Sequence, residues 1–365
     1  MPVIIDGTNG ITQAGEFNSD SSFGFKNRII NGAMVIDQRN AGASTSISTG
    51  DRTSFGVDRF CYQKSSSSYG VTSQRSTVAP TGFTNSLLTT VTSAFSPASG
   101  DYLTVGQIIE GFNCYDLGFG TANAKTVTIS FWVRSSVTGT YSATLSNGSG
   151  NRAYASTYVV NAANTFEYKT ITIPGDTSGT WATDNTAGLW IRWDLGSGSS
   201  FNGTVDSWQS SYIKSSSQVT WANNASATFY ITGVQLEVGS TATSFDYRPY
   251  GTELALCQRY FYRMNGLVNQ DMLVGAAADQ TTWIRYSFAL PVIMRSTPSL
   301  VSTAASTYSN LTGSGGQAGS AIALDNSSET NVTLNLNSGG ITAGSAATFR
   351  IGSNPTGFVA FSSEL

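Results

Sequence analysis

No histidine occurs in the 365 residues of this chain. That absence removes the Ser-His-Asp triad, the Cys-His pair and His-rich transition-metal sites from its chemistry. Hydrolysis by paired carboxylates survives it, because cleaving a glycosidic bond needs only a general acid and a base or nucleophile at suitable separation. Asp176, Asp184, Asp194 and Asp206, spread through a Trp-rich region, are the candidates. Each also fits a turn or rim, the favoured reading for any one of them, as Asp176 does in Pro-Gly-Asp-Thr, where its side chain can bond the backbone two residues on. Glu237, Asp246 and Asp37 would approach one another if the first and last strands of their domain pair, and hard oxygen ligands suit Ca²⁺. A metal-free turn or salt bridge is the alternative, since no loop carries dense alternating Asp ligands. No cofactor is expected. Cys61, Cys114 and Cys257 have no CxxC spacing and read as structural thiols of a chain folded in a reducing cytoplasm.

Aromatic residues carry the sharper signal. Five of the seven Trp are Trp181, Trp190, Trp193, Trp208 and Trp221. Sugars present apolar C–H faces that stack on indole, while neighbouring Asp, Asn, Gln and Arg satisfy hydroxyls. If Leu189, Ile191, Trp193 and Leu195 face a core, then Trp190, Arg192 and Asp194 point away from it, and Trp132 with Arg134 repeats that arrangement elsewhere. Such a face needs a covering, which is a glycan, a neighbouring subunit or a loop of the same chain.

The elements that must position these residues are strands. Only 11% of residues are charged and 40% are hydrophobic, a composition suited to short strands joined by Gly, Ser, Thr and Asn turns. Val127, Ile129, Phe131 and Val133 alternate with Thr128, Ser130, Trp132 and Arg134; Phe166–Ile173 and Ala227–Val238 read as further strands, and their spacing argues for a two-sheet sandwich or jelly roll. Thr252–Met264 predicts one helix, with Thr252 as cap, Glu253 in its first turn, Arg259 and Arg263 near its end, and Leu254, Cys257 and Phe261 on one stripe. Packed along a three-fold axis, that stripe would be an oligomerisation element. Beyond it, Ile284, Tyr286, Phe288 and Leu290 alternate, as do residues 332–337, and Gly313–Ser320 reads as a flexible tip loop. At the other end Val3, Ile4 and Ile5 precede Asn9-Gly10, a hairpin signal in a segment too short to be stable alone; docking is expected there.

With 19 basic and 22 acidic residues and a net charge of −3, the chain lacks the Lys/Arg density that neutralising phosphates requires, so nucleic acid is not expected as a partner. The N-terminus has no basic n-region and Asp6 interrupts its apolar run, which predicts neither a signal peptide nor membrane insertion.

Three blocks resemble sequences of bacteriophage tail-fibre and related virion appendage proteins: GVQLEVGSTATSFDYRPYGTELALCQRYFY at Gly233–Tyr262, NRIINGAMVIDQRN at Asn27–Asn40 and TITIPGDTSGTW at Thr170–Trp181. The resemblance implies a virion subunit, made in the host cytoplasm, with a carbohydrate-binding-module-like jelly roll. The expected chain is all-β, a jelly-roll sandwich plus a smaller C-terminal β-sandwich joined by one short helix. Its expected organisation is an attachment segment at 1–30, a jelly roll at 31–250, a linker helix at 251–265 and a tip domain at 266–365. As a non-enzymatic homotrimeric tail fibre it would touch other virion proteins through residues 1–30 and a host surface glycan, for which Trp132, Arg134, Trp190, Arg192 and Asp194 are the candidate contacts. A head fibre or capsid decoration protein, and a carboxylate-dependent polysaccharide depolymerase, are the alternatives.

Overall fold

The structure is a computed structural model that describes residues 4–6, 10–13, 25–212, 214–265, 271–277, 281–312, 315–351 and 357–365. The chain forms two compact units, one ending at Glu253 and one running from Leu254 to Glu364. In chain order the strands of the first are β1 (Ile4–Asp6), β2 (Gly10–Gln13), β3 (Thr45–Ser46), β4 (Gly50–Val57), β5 (Phe60–Lys64), β6 (Gly70–Ser76), β7 (Ser86–Ser93), β8 (Leu103–Glu110), β9 (Val127–Ser135), β10 (Gly139–Asn147), β11 (Ala153–Val160), β12 (Glu167–Ile173), β13 (Ala187–Asp194), β14 (Trp208–Gln209) and β15 (Thr228–Val238). β1, which carries Ile4 and Ile5, pairs antiparallel with β2; Val3 lies outside the described residues.

A seven-stranded sheet in the order β14-β11-β10-β13-β8-β5-β4 faces a six-stranded sheet in the order β12-β9-β15-β7-β6-β3. The named pairings are antiparallel, the architecture of a jelly-roll sandwich. Period-2 alternation decides what lies between the sheets. Val127, Ile129, Phe131 and Val133 of β9 enter one core with Leu189, Ile191 and Trp193 of β13, as their spacing predicts. Phe131 meets Trp193 edge-on, ring centroids 5.3 Å apart, and each such buried ring contributes about 1.5–3 kcal/mol.

Two of the sequence blocks singled out above, Asn27–Asn40 and Gly233–Tyr262, interlock in space. The Asn27 side chain accepts the Ile29 and Leu236 N–H groups and donates to the Val234 carbonyl, while Arg28 N–H reaches Leu236 O and Val234 N–H reaches Gly32 O. The opening segment is thereby sewn to β15, a long-range pairing that needs both blocks.

Buried phenols make this core alkali-sensitive. Burial pushes Tyr62 up to about 12, against the lowering effect of hydrogen bonds from Ser73 and Thr89, and pushes Tyr141 up to about 12. Unfolded tyrosines ionise near ~10. The stability these groups contribute is therefore complete below that pH and is lost as pH rises toward 12. Phenolate absorbance followed with circular dichroism should show these protons leaving together with unfolding; their release near pH ~10 from a folded chain would contradict the assignment.

The helix α1 runs from Tyr250 to Gln258, shorter than the expected Thr252–Met264. Phe261–Asn265 is a strand paired with Phe358–Ser362, because a non-local partner competes for residues whose local pattern also suits a helix. The predicted Thr252 cap falls inside the helix, and neither Arg259 nor Arg263 is in its last turn. Cys257 and Phe261 are buried within the chain, so neither offers an exposed stripe, and Leu254 is partly buried. The second unit is all-β, with sheets of three, four and three strands among the described residues. Ile284, Tyr286, Leu334, Leu336 and Phe349 join its core. Gly315–Ala318 pairs with Tyr308–Thr312, so the expected flexible loop is in part a strand; residues 313 and 314 lie outside the described residues.

Candidate functional site

β13 does turn Trp190, Arg192 and Asp194 away from the sandwich core, yet all three are buried. The covering is the chain itself. Tyr212, from the loop after β14, stacks on Arg192 with 4.4 Å from guanidinium carbon to ring centroid, and Trp190 lies 4.2 Å away from the same carbon. Arg192 also donates to Ser146 Oγ at 2.7 Å, and burial lowers its guanidinium to about 10, leaving it cationic at neutral pH. Asp194 accepts the Gly196 and Ser197 N–H groups at 2.9 Å, and it also accepts Gln218 Nε2 and the Tyr212 hydroxyl. Burial, then the Asp194 charge, pushes the Tyr212 phenol well above its usual value. This cluster straps a loop to the seven-stranded sheet and leaves Trp190, Arg192 and Asp194 buried beneath it.

The other carboxylates are equally engaged. Asp176 holds Arg152 through two 2.7 Å bonds, Asp184 caps Thr186, and Asp206 accepts Ser156. Nor do the suggested calcium ligands converge. Asp37 holds the Asn40 and Gly42 N–H groups in its own turn, while Glu237 holds Thr243 and Gln235. Among the described residues no group of three metal-ligating side chains occurs. Of the five clustered Trp, Trp193 and Trp221 are core, and Trp181 and Trp208 pack edge-on against each other and Phe119.

Trp132 and Arg134 lie elsewhere, on the outward face of the six-stranded sheet, and here the surface is open. Trp132 sits opposite Tyr168 of β12, ring centroids 5.4 Å apart, and Tyr168 is 44% exposed. Arg134 lies over Tyr230 at 4.9 Å and near Phe166 at 5.9 Å. On the opposite flank of Trp132, the loop between β6 and β7 supplies Phe83, and the segment after β15 supplies Phe245 and Tyr247. Their centroids are 5.1 Å (Phe83–Phe245), 4.8 Å (Phe245–Tyr247) and 5.6 Å (Phe83–Tyr247) apart.

Gly233 joins the two groups. It occupies a bulge in β15, where the register shifts between Thr232 and Gln235, with φ +61°. A Cβ there would lie 2.7 Å from Phe83 Cζ and 3.0 Å from Trp132 Cδ1, so only glycine lets both rings close over the strand. Gly233→Ala should cost about 1–2 kcal/mol for the left-handed backbone and force the rings apart. An unchanged denaturation midpoint with unchanged near-ultraviolet aromatic dichroism would contradict this.

The result is a strip of five rings, Tyr168, Trp132, Phe83, Phe245 and Tyr247, with a cleft of about 290 Å³ at its Tyr247 end. Asp246, Arg248 and Glu253 line that cleft. Strand alternation places Trp132 and Arg134 on this outward face, whereas Phe83, Phe245 and Tyr247 lie in loops that carry no periodic signal.

Searched against protein-family models and against curated proteins, the sequence matches none. Solved structures similar to it include the enzymatically active domain of bacteriophage CBA120 tailspike protein 4, at 13% identity over 59% of this chain and 22% of that one, with a TM-score of 0.31. A CBM4 structure is similar at 15% identity, over 57% and 98% of the two chains, with a TM-score of 0.31. A family 11 carbohydrate-binding module from Clostridium thermocellum, in complex with a mixed-linked tetrasaccharide, is similar at 12% identity over 56% and 100%, with a TM-score of 0.28. At these scores the fold assignment rests on the strand order above.

Proposed function

We propose that this chain is a structural, glycan-binding subunit of a phage virion: a homotrimeric tail fibre that adsorbs to a host surface glycan without cleaving it and meets other virion proteins through residues 1–30. The observation that carries the reading is the ring strip on the outward face of the six-stranded sheet. Five aromatic rings edged by a guanidinium, carboxylates and hydroxyls offer stacking for pyranose C–H faces and partners for their hydroxyls. Support for a virion role comes from the resemblance of the opening and closing blocks, which are the same segments that interlock and build the cleft. Support for binding without bond cleavage comes from the Asp176, Asp184, Asp194 and Asp206 carboxylates, each already held by N–H or O–H donors.

Retention of the full chain on immobilised host envelope polysaccharide, with sedimentation to give its mass, tests this reading. A trimer that is retained and releases no reducing ends is expected. A monomer that liberates reducing ends from the polymer would overturn it.

A further inference from the structure

The cleft beside Tyr247 differs from the rest of the strip in shape and in charge. We infer that it is an end subsite that takes one terminal sugar residue of a neutral glycan, a hexose or N-acetylhexosamine, and excludes uronic and sialic acids; this rests on the glycan-binding reading above. At about 290 Å³ it falls at the lower edge of the ~300–1,000 Å³ range of ligand pockets, so it suits one ring and not a chain. Phe83 and Tyr247 wall it, and Tyr247 is fixed there by its hydroxyl, which donates to Gly82 O at 2.8 Å.

The polar groups give the chemistry. Arg248 is locked in place, its Nη1 donating to Ile29 O at 3.0 Å and to Glu253, and its Nη2 donating to Asn27 O. Its side chain is only 6% exposed, so this guanidinium is committed to the protein. Asp246 accepts Asn27 N–H through Oδ2, which leaves Oδ1 as an acceptor. That carboxylate oxygen suits a hydroxylated ligand, because a sugar hydroxyl can donate to it. An acidic sugar fits badly: Asp246 and Glu253 outnumber Arg248, and Arg248 is already neutralised by Glu253, so a carboxylate would meet like charge.

The test is titration of the full chain with methyl glucoside, methyl galactoside and methyl N-acetylglucosaminide, each beside methyl glucuronide and methyl sialoside. At least one neutral glycoside should bind, and the acidic ones should bind about tenfold more weakly or not at all. Tyr247→Ala should abolish neutral binding, and Asp246→Asn should weaken it while narrowing the gap to the acids. Tyr115→Ala, at an exposed tyrosine outside the strip and cleft, should match the parent and controls for folding. No binding by any neutral glycoside, a preference for the acids, or full binding by Tyr247→Ala would overturn the inference. Failure of the wider reading looks different: polysaccharide retention indifferent to Trp132→Ala, whatever the monosaccharides do.

Discussion

Asp194→Ala should destabilise the first unit by about 3–5 kcal/mol, the cost of removing one partner from a buried charged network. Asp194 is 1% exposed and accepts from two backbone N–H groups, a carboxamide and a phenol. Alanine leaves the N–H groups of buried Gly196 and Ser197 without their acceptor, and it removes the anchor of the Tyr212 hydroxyl. A domain of this kind has ~5–15 kcal/mol in total, so much of its stability goes at once. Asp194→Asn should cost clearly less, since the amide oxygen still receives the Gly196 and Ser197 N–H groups. Denaturant titration measures both. A loss below about 1 kcal/mol for the alanine variant, the worth of one ordinary hydrogen bond, would show that the strap does not hold the loop.

Trp132→Ala should weaken polysaccharide retention about 30-fold, roughly 2 kcal/mol, the scale of a central aromatic contact in an interface. Trp132 sits mid-strip between Tyr168 and Phe83, so its removal breaks the stacking surface in two. Tyr168→Ala, at the exposed end, should cost less, and the double variant should fall short of the sum because the two rings touch. Assembly should be unaffected in each. Loss of the oligomer with retention intact would make this face a subunit contact instead.

How far the sequence speaks depends on whether a residue's fate is set locally. The alternation on β9 and β13 assigns core and outward faces correctly, since a pleated strand has no other way to place its side chains. Alternation does not say whether an outward residue stays exposed. Trp190, Arg192 and Asp194 face out and are covered by Tyr212, 18 residues beyond Asp194, through contacts that no period encodes. The cleft is illegible for the same reason: Phe83 and Tyr247 are far apart in sequence, and the pairing of β7 with β15 brings their loops together. The early end of α1 and the strand at Gly315–Ala318 both follow from partners distant in the chain or across a turn, whose ladder bonds outweigh local helix pattern and glycine-rich composition.

Hydroxyl-radical footprinting of the full chain, with and without host envelope polysaccharide, addresses the glycan reading most directly. The strip predicts that Trp132, Tyr168 and Tyr247 are oxidised in the free protein and protected when the polysaccharide is added, while Trp193 and Trp221 are protected throughout. Protection of Trp132 and Tyr168 before any polysaccharide is present, or no change on adding it, would contradict the account.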